Sequence, residues 1–134
     1  MRNIKISTTA ILETKGAIGL RSAIKIMEHW GASQNQMIAV LRVSRRKLTR
    51  AGEERSEIIK LDTDQLDRIS YVLNMHATLR IIFDNPSNVY GFMSMPNGNA
   101  FFNGRNPLEV IADGSLMSLH ETFRRVDGLR CGGW

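Results

Sequence analysis

The side chains best suited to chemistry in this chain are cations. Between Arg42 and Arg50 lie five basic residues (Arg42, Arg45, Arg46, Lys47 and Arg50) and no acid. Guanidinium groups along one short helix suit a nucleic acid, because arginine pairs bidentately with guanine in the major groove while other donors hold phosphates. That work requires a reading helix locked at a steep angle to a neighbour, the helix-turn-helix arrangement. The segment "SQNQMIAVLRVSRRKLTRAG", residues 33–52, has the pattern. Ile38, Val43 and Leu48 stand where apolar contacts lock the two helices, and Ser44 can cap the second. The expected DNA contacts are Gln34, Ser44, Arg45, Arg46, Lys47, Thr49 and Arg50. The turn carries Arg42 where glycine is usual, and a left-handed backbone there would cost about 1 kcal/mol. A solvated basic face on a plain helical hairpin would show the same residues.

Other chemistry finds little support. The three histidines (His29, His76, His120) and the single Cys131 lack metal-ligand spacing, and no nucleophile, base and orienting group can be assembled. His76 falls on an apolar stripe, where a hydrogen-bonded core histidine is expected. The stretch "PNGNAFFNGRNPLEVIADG", residues 96–114, is rich in glycine and asparagine, yet has neither the Walker spacing nor a GxGxxG opening a helix. The chain reads as a non-enzyme with no cofactor.

The elements that must position these groups are helices almost throughout. Ile18 to Trp30 carries Leu20, Ala23, Ile24 and Met27 near helical spacing and stops at Gly31; Ser33 then caps a helix with Met37, Ile38 and Leu41 inward. Asp62 and Gln65 form a capping box for a long helix whose stripe runs Leu66, Ile69, Leu73, His76, Leu79 and Phe83. Asn85–Pro86 and Asn106–Pro107 each mark a helix start, and Ser115 caps a last helix with Leu116, Leu119, Phe123 and Val126, ending near Gly128. Only "RNIKI", residues 2–6, hints at a strand. The expected fold is all-α.

Charge divides the chain. Residues 1–60 hold twelve Lys/Arg against five Asp/Glu, while residues 61–134 hold six against eight. A basic unit that meets a polyanion and a near-neutral unit with another task follow from that asymmetry. The expected division is an N-terminal segment (1–17), a helix-turn-helix domain (18–60), a second helical domain (61–129) and a tail (130–134). One cysteine permits no internal disulfide, and no apolar run reaches the ~20 residues of a membrane span, so a cytoplasmic location is expected.

Past the basic segment, "FMSMPNGNAFFNGRNPLEVIADG" resembles the C-terminal toxin-binding domain of the Xre/MbcA/ParS family of antitoxins. The likeness rests on Phe92, Met93, Pro96, Asn97, Phe101 or Phe102, Gly104, Arg105, Pro107 and Leu108, on the upstream helix, and on the Xre-like helix-turn-helix; it covers roughly residues 30 to 129. The resemblance implies an antitoxin of a type II system that neutralises a RES-type, NAD-consuming toxin and represses its own operon, acting as a homodimer. It implies toxin contacts at Asn97, Phe101, Gly104 and Arg105. In the tail, Trp134 either folds back on the core or, with Arg130, reaches the toxin's cleft as a further contact, tryptophan and arginine being enriched at binding hot spots. The competing readings are a helix-turn-helix regulator without a toxin and a pure protein-interaction module.

Overall fold

Each stop and start signal read above falls at a helix end. The computed structural model of the chain describes residues 8–53 and 58–132. Its helices are α1 (Thr8–His29), α2 (Gln34–Leu41), α3 (Arg45–Gly52), α4 (Thr63–Ile82), α5 (Pro86–Gly91), α6 (Pro107–Ile111) and α7 (Leu116–Gly128), with 3-10 turns at Phe92–Ser94 and Leu129–Cys131. No strand occurs among the described residues, so the fold is all-α. The strand hint at residues 2–6 lies outside them. The first helix, read from Ile18, begins at Thr8.

Local chemistry explains the boundaries. Ser33, Asp62 and Asn106 each accept from the third helical N–H, while Gln36, Gln65 and Glu109 reach back to the cap's own N–H. These reciprocal boxes satisfy donors that the helix leaves orphaned, each worth about 1 kcal/mol. Asn85 and Asn106 cap helices whose first residue is proline. Gly31 leaves α1 at φ +81°, a left-handed conformation that glycine adopts without strain.

α4 is the central element. It packs against α1 and α2 on one side and α7 on another, with α5 at its C-terminal end. Leu20, Met27, Trp30, Leu41, Met75, Leu79, Met93, Ile111 and Leu119 are all fully or almost fully buried. A single cluster of buried residues runs from Ala17 to Val126, and no gap in it marks the division expected between residues 60 and 61. Burying each aliphatic side chain of this kind contributes about 1.5–3 kcal/mol.

The buried face of α4 differs from the sequence stripe. Ile69 and Leu79 are buried as expected, but Leu66 is exposed, Leu73, His76 and Phe83 are half-buried, and Val72 and Met75 take the core positions. Covered from more than one direction, α4 also buries the polar Gln65, Arg68 and Thr78, which an apolar stripe does not reveal. Leu116 and Ile18 also face solvent. His76 is not the hydrogen-bonded core histidine expected: its Nδ1 is buried without a partner, and its ring stacks on Tyr90, which stacks in turn on His29.

Candidate nucleic-acid interface

α2 and α3 are eight residues each and joined by the turn at Arg42 and Val43. Val43 and Leu48 are buried between them and Ile38 is half-buried, so the three positions expected to lock the pair do face inward. Arg42 sits at φ 54°, ψ 40°, the left-handed conformation expected of it. Its guanidinium donates to Asp62 and Asp64 at the start of α4, and its carbonyl accepts from Gln65 Nε2 at 2.9 Å. The hydrogen bond from Arg42 holds both carboxyls below the ordinary carboxylate range. The N-terminus of α4 thus grips a turn that glycine would have made without help.

α3 is fixed at both ends. Ser44 Oγ accepts from Lys47 N at 3.1 Å, and Arg21 of α1 donates to the Ala51 carbonyl at 3.0 Å. At the first helical position, Arg45 donates to Gln34 Oε1 at 2.5 Å and to Asn35 Oδ1 at 2.8 Å. This ties the starts of α2 and α3 into one polar edge. Arg46 is exposed and has no partner among the described residues. Neither helix has an acid in its first turn. Two cations at the positive end of α3 oppose its dipole by a few tenths of a kcal/mol or more each, a charge arrangement that an anion would relieve.

The remaining expected DNA contacts divide. Lys47 Nζ donates to the Lys60 carbonyl at 2.6 Å and Arg50 to the Ile58 carbonyl at 3.2 Å, so both hold the segment that leads into α4. Thr49 Oγ1 donates back to the Arg45 carbonyl. Gln34, Ser44, Arg45 and Arg46 therefore gather at one edge, while Lys47 and Arg50 lie along the 58–60 segment. Sequence reasoning missed Asn35, Asp64 and Arg68 as positioning groups. Asp62 was seen only as a cap.

The second expected site is a loop wound around buried Phe102. Asn97 N donates to the Arg105 carbonyl at 3.1 Å and Gly104 N to the Asn97 carbonyl at 2.8 Å, closing the loop. Side-chain oxygens of Asn97 and Asn99 accept from Asn99 N and Phe101 N, each a local turn. Arg105 folds back, donating to the carbonyls of Phe102 and Phe101 at 2.8 and 2.9 Å. Gly104 has φ +84°, but a Cβ there would meet open space; its need is conformational rather than close approach. Gly114 is also at φ +84°, and there a Cβ would lie 3.4 Å from the Ala39 carbonyl oxygen, in ordinary van der Waals contact.

Phe101 is half-exposed beneath the Arg125 guanidinium, 5.6 Å from the ring centroid. Beside it a groove of about 380 Å³ is lined by Phe101, Met117, Ser118, His120 and Glu121. Met117 is 82% exposed and was not foreseen. Arg130 lies in the final 3-10 turn, exposed and 3.5 Å from Asp127. Trp134 lies outside the described residues. No group of three His, Cys, Asp or Glu among the described residues could hold a metal ion, and no helix there is long and apolar enough to cross a membrane.

Comparison with known proteins agrees with the N-terminal geometry. Residues 10–74, just under half of the 134-residue chain, match the family model of the antitoxin Xre-like helix-turn-helix domain. The match spans α2 and α3, most of α1 and the first part of α4. The segment is thus similar to the helix-turn-helix of DNA-binding antitoxins and regulators. No curated protein and no solved structure matches the chain.

Proposed function

We propose that the chain is a DNA-binding antitoxin. It represses its own operon through α2–α3 and neutralises a protein toxin through the face built by α6, α7 and the loop around Phe102. It works by binding rather than by catalysis, in the cytoplasm, as a homodimer whose two reading helices meet successive turns of the duplex. The observation that carries the reading is the polar edge at the start of α3. There Arg45 is pre-oriented by Gln34 and Asn35, and Arg46 stands beside it without a partner among the described residues, on a segment similar to an antitoxin helix-turn-helix. Pre-orientation lowers the entropy lost when a long side chain is fixed on a base edge.

The toxin partner is the RES-type, NAD-consuming class that the resemblance implies. In support, the loop motif that carries the resemblance presents Phe101 next to strongly exposed Met117, the apolar, aromatic character of a binding hot spot. Asn97, Gly104 and Arg105 serve that face by shaping the loop.

The test has two arms. Changing Arg45 and Arg46 together to alanine should abolish a gel shift on the DNA upstream of the gene while leaving toxin neutralisation intact. Parent binding should weaken steeply with salt as condensed counterions are released. Coexpression with the adjacent gene should rescue growth and copurify the two proteins. An unchanged gel shift removes the DNA assignment; failure to rescue, with DNA binding intact, leaves a regulator without a toxin.

A further inference from the structure

Arg68 is the one buried arginine among the described residues, its side chain 7% exposed. Its three hydrogen bonds go to three different elements. Nε donates to Asp64 one turn back in α4 at 3.0 Å, and one terminal nitrogen donates to the Val40 carbonyl of α2 at 3.2 Å and to the Gly114 carbonyl between α6 and α7 at 2.8 Å. The Val40 carbonyl belongs to the last turn of α2, whose acceptors have no intrahelical donor. Gly114 also faces α2: a Cβ added there would reach van der Waals contact with the Ala39 carbonyl. Asp64 passes the connection on, because the same carboxylate oxygen accepts from Arg42 in the helix-turn-helix turn.

Stability does not by itself account for a charge in this position. Apolar residues that replace a buried ion pair often leave a protein as stable or more so. What an apolar side chain lacks is direction. A planar guanidinium with acceptors on three elements fixes their mutual orientation, and lysine's flexible point charge does not reproduce its fork.

We propose that Arg68 is a positioning residue for DNA recognition: it staples the α6–α7 turn to α2 and so sets the angle at which α3 meets the duplex. The C-terminal unit is then part of the reading apparatus although none of its side chains touches DNA. The proposal rests on α2–α3 being the DNA-reading pair.

Arg68→Met leaves the buried Val40 carbonyl and the part-buried Gly114 carbonyl without this donor and risks unfolding, so Arg68→Lys is the working variant. Two probes are used in fluorescence anisotropy: the duplex that the parent protein selects from a random library, and an unselected random duplex of equal length. Arg68→Lys should keep its helical circular dichroism and bind the selected duplex at least ten-fold more weakly. Affinity for the random duplex, and its salt slope, should not change, because Arg45 and Arg46 remain. Equal loss on both duplexes, or unchanged selectivity with only a lower melting temperature, overturns the proposal. Amide hydrogen exchange without DNA provides the independent reading. Exchange should accelerate together in α2 and at residues 112–115, and acceleration confined to one side overturns the staple even if the parent selects no duplex. A parent that selects none defeats the DNA reading itself.

Discussion

Arg42 concentrates a conflict that a single side chain can resolve in either direction. Its left-handed backbone is strained for any residue with a Cβ, while its guanidinium holds Asp62 and Asp64. Those ion pairs are exposed and screened by solvent, so they contribute little to set against the strain. Arg42→Gly should therefore melt close to the parent, whereas Arg42→Ala should lose about 1 kcal/mol relative to Arg42→Gly. Equal melting of the two variants would remove the strain from the account. His76 supplies a pH dependence. Burial, then Arg80, then His29 lower its proton affinity below the ordinary value of 6.5. The unfolded chain then binds the proton at a pH where the folded chain does not, so stability is full above pH 6.5 and falls as the pH drops below it. Melting temperatures measured from pH 7.5 to 5 should fall less for His76→Asn than for the parent; parallel curves would exclude His76 as the source. Capping residues were legible in the sequence because each rests on bonds to near neighbours, and the strained turn because arginine stands where glycine is usual; the grip of Asp62 and Asp64 on it comes from far along the chain and was not. The lone Nδ1 of His76 was not, since it depends on what α1 and α5 bring to α4.

At the level of elements, loop and helix make separable contributions to the proposed partner face. Gly104 holds a left-handed position in open space, so Gly104→Val strains the loop through its backbone and should lower both melting temperature and toxin binding, by about 1–3 kcal/mol in stability. Met117 at the start of α7 buries little. Met117→Glu should leave melting within about 0.5 kcal/mol and still weaken toxin copurification. If Met117→Glu binds toxin as the parent does, the groove beside Phe101 is not the contact. The same contrast shows what sequence pattern could reveal of the site. Helix starts and the α3 cation cluster were legible from spacing alone. The inward turn of Arg105 and the pairing of Lys47 with the 58–60 segment were not, because both bonds end on backbone carbonyls, which carry no residue signature.

On the scale of the whole molecule, most of the buried apolar side chains of the described residues form one cluster. α4 supplies Ile69, Val72, Met75 and Leu79 to a cluster that also holds Leu20 and Met27 of α1 and Leu119 and Val126 of α7. The parent should unfold in a single transition by heat or denaturant. A chain ending at residue 74 keeps the whole helix-turn-helix but loses Met75, Leu79, Leu119 and Val126, about 1.5–3 kcal/mol for each buried side chain, against the 5–15 kcal/mol of a small domain. It should be unfolded or molten by near-ultraviolet circular dichroism, and a cooperative melt from that fragment would show an independent N-terminal domain. Charge asymmetry reports surfaces, and two small helical units that share an apolar interior can still differ in charge.

That shared interior bears on how such a chain can diversify. Recombination creates new pairings of recognition and response most readily where a crossover falls in a linker and both halves keep their own interiors. Here a crossover inside α4 would join two halves of a core that had not been fitted to each other. One of the two Arg68 carbonyl contacts, back to residue 40 or forward to residue 114, would then have to form across the crossover. For the proposed antitoxin, new DNA and partner preferences would therefore accumulate by substitution on the outer edges, at positions such as Arg46 and Met117, and the two would descend together as one inherited block.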